Sequence, residues 1–207
     1  MIRFSPRVSA LAAVVILTPA MAGCGINAIP TKEEAAKAKW ADVQSQYQRR
    51  ADLVPNLVAT VQGAAIAERT TLTQVIEARA QATGVTVTPE TLNDPAAFQR
   101  YPAAQGQLSQ ALSRLLLVVE RYPDLKANAN FQALQSQLEG TENRISVERG
   151  RFNEVVQTYN TKIKSIPAVF YAALLGFKER PYFQAKAGAE EPPQVDFNFG
   201  GAKPAQP

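Results

Sequence analysis

Arg49, Arg50 and Asp52 stand about one helical turn ahead of Pro55 and Asn56. A proline inside a helix leaves the carbonyl four residues earlier without its donor, here Ala51, and its ring presses on that group. Charged side chains beside freed carbonyls can form a recognition patch for a ligand or partner. The same charges can instead pair locally, or with Glu142 and Arg144 on an opposing helix. A partly buried arginine–glutamate network of that kind would set helix register more than it would add stability. Glu142, Asn143 and Arg144 invite comparison with the metal sites of helical bundles. Those sites use Glu-x-x-His pairs, and the chain contains no His. Asp124 and Asn128 suit a loop-borne site, but turn and cap chemistry accounts for both. Tyr101, Tyr122, Tyr159, Tyr171 and Tyr182 suit an aromatic ligand surface, or core packing with each hydroxyl at the boundary. The lack of His removes Ser-His-Asp and Cys-His catalysis, His-containing zinc sites and an imidazole pH switch. The single Cys excludes an intramolecular disulfide. No Gly-rich phosphate loop or nucleophile elbow occurs. The residues therefore predict a protein that is not an enzyme and that needs no metal and no dissociable cofactor.

The one cysteine, Cys24, carries the clearest chemistry. Arg3 and Arg7 precede an apolar stretch over residues 8–17, followed by Thr18, Pro19 and the small-residue run Met21-Ala22-Gly23-Cys24. A basic start, a short apolar core and a small-residue end form a secretory signal peptide, and the core is shorter than the roughly 20 residues of a spanning helix. The Ala-Gly-Cys ending resembles a bacterial lipobox, with Met21 where Leu is usual. It implies removal of residues 1–23 and a diacylglycerol on the Cys24 sulfur, the only covalent group expected. Two or three acyl chains hold a protein to a membrane far more firmly than one. Gly25 follows the cysteine, in place of the Asp that typically retains a lipoprotein on an inner membrane. The expected location is the cell envelope, on the periplasmic side of the outer membrane, or on the outer face of the plasma membrane in a bacterium with one membrane. Loss of Arg3 and Arg7 leaves 20 basic against 18 acidic residues. No strong basic field remains to suggest nucleic-acid binding.

The elements that position these residues are helical. The 207 residues, 46% hydrophobic and 19% charged, fit one globular domain with a tail. Residues 24–31 read as a tether and 32–185 as a helical domain. Thr31 can cap the first helix, with Glu33 and Glu34 in its first turn. Trp40, Val43, Tyr47, Val54, Leu57 and Val61 follow a 3-and-4 spacing, continued by Leu72, Val75, Ile76 and Arg79. The pattern predicts an amphipathic helix over about 32–82, kinked or broken at Pro55, that projects past the rest. Residues 84–102 form a connector with a helical turn near 95–100. Residues 103–121 form the clearest helix, and Asn128 caps another that reaches residue 164. In that last helix Phe131, Leu138, Ile145, Phe152, Tyr159 and Ile166 recur every seventh residue, with Val156 and Ile163 widening the stripe. This width suits a bundle better than a two-stranded coil. After Pro167, residues 168–177 are apolar on nearly all sides, as a cap on the bundle end or as a patch meeting a membrane or partner. Residues 186–207 form a Pro-rich mobile tail, in which Val195, Phe197 and Phe199 can add as a strand to something else or tuck back. The predicted fold is all-α, an antiparallel bundle of three to four long helices.

Several blocks go further. Trp40, then Tyr47-Gln48-Arg49-Arg50-Ala51-Asp52-Leu53-Val54-Pro55-Asn56-Leu57-Val58, resembles the signature of the bacterial LemA family. The resemblance continues through Tyr122-Pro123-Asp124-Leu125-Lys126-Ala127-Asn128, Leu134-Gln135, Leu138 and Thr141-Glu142-Asn143-Arg144-Ile145. It ends with Tyr159-Asn160, Ile163, Pro167, Gly176-Phe177 and Tyr182-Phe183. It implies an envelope protein built as a bundle of long antiparallel helices on an N-terminal membrane anchor. Many members keep an uncleaved anchor helix; this chain departs by carrying a lipobox. No enzymatic activity is established for the family. The expected role is a lipid-anchored scaffold that binds another envelope protein, through Arg49, Arg50, Asp52 and Asn56 or through Val195, Phe197 and Phe199. The alternative is a binding module for a small apolar or lipid ligand, in a cavity lined by Leu115, Phe131 or Phe170.

Overall fold

The computed structural model describes residues 27–64, 69–88 and 91–184. The leader, Cys24 and the tail with Val195, Phe197 and Phe199 lie outside the described residues. Four long helices carry the fold: α1 (Ala28–Ala64), α2 (Arg69–Gly84), α3 (Pro95–Val119) and α5 (Ala129–Lys164). A 3-10 turn at Thr91–Asn93 and two short helices, α4 (Pro123–Lys126) and α6 (Val169–Ala172), complete the order. There is no strand among the described residues.

Side-chain pairs define the directions. Ile29 at the start of α1 clusters with Ile163 near the end of α5, and Arg50 meets Glu142, so α1 and α5 are antiparallel. Arg79 of α2 reaches back to Ala51, and Gln105 of α3 reaches Ala82 near the end of α2. The order is up-down-up-down, the simplest solution for short connections. The predicted bundle of long antiparallel helices is therefore the observed fold. At 1.5 Å per residue α1 and α5 each span about 55 Å. They pair over most of that length, so α1 does not project past the bundle.

The core has three stacked parts. Near the top, Val54, Leu57, Val61, Leu72, Val75, Leu115, Phe131 and Leu138 pack together. At mid-height Trp40 lies 5.5 Å from Phe98, 5.1 Å from Tyr101, 5.7 Å from Phe152 and 5.8 Å from Phe183, centroid to centroid. Its indole N–H donates to the Val87 carbonyl at 3.3 Å, which satisfies the one polar atom of a buried ring. At the foot Ile29, Tyr159, Ile163, Ala168 and Ala172 form the third cluster. Helix α2 has only 16 residues. Below it the fourth side is closed by Val87, Leu92 and Phe183, drawn from segments with no long helix.

Several expectations are corrected. α1 begins at Ala28, so Thr31 is not its cap: its hydroxyl donates to the Asn27 carbonyl from inside the helix. Glu33 lies beyond the first turn and pairs with Arg180 instead of stabilising a helix start. The helix start expected near residue 103 lies at Pro95, where Asp94 accepts from the amides of Ala96 and Ala97 and Pro95 occupies the first turn. Asn128 caps α5 as expected, accepting from Asn130 and Phe131. Phe131, Leu138, Ile145, Phe152 and Tyr159 are buried, but Ile166 is exposed because α5 has already ended at Lys164. Ile76 is also exposed, and Ala78 takes the inward place.

Pro55 neither breaks nor ends α1, which runs through it to Ala64. The Ala51 carbonyl accepts instead from Arg79 Nε at 2.7 Å, so a neighbouring helix replaces the missing donor. The 3-and-4 spacing places Arg79 on a continuation of the same helix; in the structure the chain turns back before it, which brings it opposite Pro55. Replacing Arg79 by Met should destabilise the protein by about 1–2 kcal/mol, the cost of leaving a carbonyl unmade beside a buried seam. In a Pro55→Ala background residue 55 supplies its own N–H, and the cost should fall by about 1 kcal/mol. A double-mutant cycle by denaturant unfolding measures that coupling; strictly additive values would show that Arg79 does not substitute for the lost donor.

Candidate functional site

Arg50 is 2% exposed, at the level where all four long helices meet. Its Nη1 donates to Ser109 Oγ and to Glu142 Oε2, both at 2.7 Å. Its Nη2 donates to the Gln105 carbonyl at 3.0 Å and to Gln105 Oε1 at 2.7 Å. Gln105 turns its amide to the Ala82 carbonyl at 3.1 Å. One guanidinium therefore ties α1 to α3 and α5 directly, and to α2 through Gln105. A buried charge is tolerable only where acceptors converge on it, and here both Nη atoms are served while Nε has no partner. The Tyr47 ring adds a cation–π contact at 5.1 Å. The expected pairing of the Arg50 region with Glu142 is present. Arg144 is exposed and stands apart from it.

The proposed patch of Arg49, Arg50, Asp52 and Asn56 is thus divided. Arg50 belongs to the interior. Arg49, Asp52 and Asn56 are exposed and share one stripe of α1 at i, i+3 and i+7. Asp52 accepts locally from Gln48 at 2.8 Å. No freed carbonyl waits for a ligand at Ala51, since Arg79 occupies it.

A second polar assembly was not foreseen. Asn160 Nδ2 donates to the Arg180 carbonyl at 2.9 Å, and Asn160 Oδ1 accepts from the Arg180 amide at 3.0 Å. Asn153 makes the same pair of bonds with Phe183, both at 2.9 Å. Seven residues of helix cover about 10.5 Å and three extended residues about 10 Å, so the two clamps are commensurate. The Tyr159 hydroxyl donates to the Lys178 carbonyl at 3.0 Å, and Arg149 Nη2 to that of Gln184 at 3.0 Å. The returning segment thereby acquires partners for backbone groups that no ladder serves. Arg180 itself is buried, 2.8 Å from Glu33 Oε1 and over the Tyr159 ring at 5.3 Å. The available signal was two asparagines seven apart, each following a seam aromatic. Nothing local marked Arg180 or Gln105.

The clefts are open to solvent. One of about 430 Å³ lies between α1 and the end of α2, bordered by Gln44, Gln48, Thr83 and Tyr101. Another of about 260 Å³ lies between α3 and α5, bordered by Leu112, Leu116, Leu138 and Glu139 beside the Arg50 hub. Leu115 and Phe131 are packed in the upper core and Phe170 is exposed near the foot, so these three line no common cavity. Among the described residues no three His, Cys, Asp or Glu side chains come together to hold a metal ion. No helix among them is long and apolar enough to cross a membrane.

The model of the LemA family matches residues 39–197. The chain belongs to the LemA family. The match takes in the Arg50 hub, the Trp40 cluster and both asparagine clamps of this LemA-family chain. Among curated proteins it is similar to the magnetosome protein MamQ of Magnetospirillum gryphiswaldense, at 28% identity over 188 residues, 82% of this chain and 69% of that protein. It is also similar to magnetosome proteins MamQ 1 and MamQ 2 of Paramagnetospirillum magneticum, each at 27% identity over 184 residues, 80% of this chain and 67% of theirs.

The hub predicts unequal costs for its members. Replacing Arg50 by Ala removes four hydrogen bonds, orphans Gln105 Oε1 and opens a cavity; it should cost about 3 kcal/mol. Replacing Glu142 by Gln should cost about 1 kcal/mol or less, because that carboxylate is more than half exposed and Arg50 keeps its other acceptors. Denaturant unfolding ranks the two, and the reverse order would show that the ion pair rather than the amide contacts carries the hub.

The buried tyrosines couple stability to alkaline pH. Burial raises the phenol of Tyr101 above the ordinary tyrosine value, with Tyr47 adding to the rise and Arg50 opposing it. Burial likewise raises Tyr47, against Arg149 and Arg50, and raises Tyr159, with Glu33 adding and Arg180 opposing. The folded state thus holds these protons more tightly than the unfolded chain. Their contribution is complete below about pH 10 and is lost as the pH climbs toward the folded values, by up to about 1.4 kcal/mol per pH unit for each phenol. Tyrosinate absorbance should show the three ionising at higher pH than free tyrosine, and Tyr101→Phe should flatten the alkaline slope.

Proposed function

We propose that this LemA-family chain is an envelope protein held to a membrane by a lipid on Cys24, and that its bundle acts as a scaffold for a protein partner. The observation that carries this reading is the packing between the helices. Three apolar clusters are stacked from top to foot of the described bundle, and the Arg50 hub ties its four long helices together. A bundle so packed works through its faces. The stripe of Arg49, Asp52 and Asn56 offers charge and amide groups on a rigid helix, as a specific polar contact requires. Attachment at the foot is supported by the sequence: Cys24 lies three residues before Asn27, where the described chain starts. A bundle rising about 55 Å from that point would present the stripe well above the bilayer.

The test is quantitative co-purification from gently solubilised envelopes, comparing wild type, Cys24→Ala and a variant carrying Arg49→Glu and Asp52→Lys. A partner recovered in near-stoichiometric amount with wild type, lost with the charge variant and reduced with Cys24→Ala, is the expected result. A Cys24→Ala protein that stays with the membrane and keeps its N-terminus would overturn the lipid anchor. Equal recovery with the charge variant would remove the α1 stripe from the interface.

A further inference from the structure

The foot of the bundle has its polarity reversed. Around helix α6 the small side chains of Ala168 and Ala172 face the bundle, while several large apolar side chains face out. Ala168 and Ala172 pack against Ile29, Tyr159 and Ile163. Ile166 is 78% exposed, Phe170 76% and Leu174 86%, and Val169 and Leu175 are exposed beside them. Elsewhere among the described residues Ile76, Leu117 and Val147 stand out singly on three different helices and Tyr182 on the returning segment, which is ordinary for a protein surface. Five within ten residues of one tip is a contiguous patch, the kind that marks an interaction site.

The tip is held in this arrangement. Gly176 at φ +82° ends the last turn, and the Phe177 amide returns to the Ala172 carbonyl at 3.0 Å. The chain then runs back to Lys178, fixed by the Tyr159 hydroxyl, and to Arg180, fixed by Asn160. Leu174 and Leu175 therefore stand at a braced apex. Lys162 and Lys164 lie in the last turn of α5 and Lys178 just past the apex, with Glu179 paired to Lys164 at 2.8 Å. Long aliphatic stems with amines around an apolar apex suit the boundary between acyl chains and anionic headgroups.

The position of the chain's start chooses the occupant. Ile29 lies in the same foot cluster, so residues preceding Asn27 join the bundle at this end. Cys24 is within about 11 Å of Asn27 even along a fully extended chain. We propose that residues 166–175 form a membrane-insertion surface, with Phe170, Leu174 and Leu175 entering the interfacial layer of the bilayer beside the N-terminal anchor. This rests on the membrane-anchor reading above and adds that the bundle stands on its foot with a fixed orientation, not swinging on a tether.

The full chain, purified from envelopes and reconstituted in phosphatidylethanolamine–phosphatidylglycerol vesicles, tests it. Tryptophan is placed at Leu174, at Phe170 or, as a control, at exposed Leu117 of α3. Buried Trp40 gives all three the same background. Vesicle flotation reports attachment, and brominated acyl chains quench only indoles that reach them. The expected result is flotation of all three, with Leu174→Trp and Phe170→Trp blue-shifted and quenched several-fold more strongly than Leu117→Trp. Flotation with a water-exposed, unquenched indole at position 174 would leave the anchor standing and overturn the insertion surface. A blue-shifted but unquenched indole would place protein over the patch, from a second copy or from this chain's residues 1–26 or 185–207, and would equally overturn it. Failure to float would overturn both readings.

Discussion

A guanidinium withdrawn from water is the constraint on which the rest of this bundle depends. Desolvating Arg50 is costly unless acceptors converge on it, and no single helix can supply enough of them. α3 gives a side-chain amide oxygen, a hydroxyl and a backbone carbonyl; α5 gives a carboxylate. Gln105, having spent its oxygen on Arg50, directs its amide to α2. A slip of one helix by a turn would break several of these bonds together. Apolar seams tolerate repacking far more readily than such a network tolerates displacement. The hub therefore disfavours any register in which these bonds cannot form.

The same logic closes the lower half, where α2 is too short to reach. An extended segment cannot pair its amides with a helix, whose backbone groups are already used. Asn153 and Asn160 solve this by presenting carboxamides that act as one rung each of a missing ladder. The match between seven helical residues and three extended ones lets both clamps engage without strain. Phe183 then drops into the Trp40 cluster, and Arg180 brings Glu33 of α1 to the same seam. Pro55 belongs to this pattern as well. A defect in one helix is met by a donor from another, and α1 stays long.

Family membership and architecture agree: the LemA match spans residues 39–197, and the described residues within it form a bundle of long helices. The described clefts are open and partly polar, and the apolar residues that do face water are concentrated at one end. The bundle carries an exposed polar stripe on one long helix and exposed apolar side chains at its foot.

Periodicity made the helices legible. The seven-residue recurrence from Phe131 to Tyr159, the cap at Asn128 and the stop after Lys164 are local consequences of side-chain spacing and proline stereochemistry, and the structure carries all three. The motif blocks were legible too, since the order of residues alone defines them. What lay beyond the sequence was set by contacts between positions far apart in the chain. The partner of the Ala51 carbonyl comes 28 residues later, and that of Arg50 on α5 comes 92 residues later. Only packing shows that Pro55 is bridged and that Arg50 faces inward while Arg49 does not. Only packing shows that Ala168 and Ala172 turn in while Leu174 and Leu175 turn out. Local spacing determines which face of a helix is apolar; which of two apolar faces is covered depends on what else arrives there, and that is decided by the whole bundle.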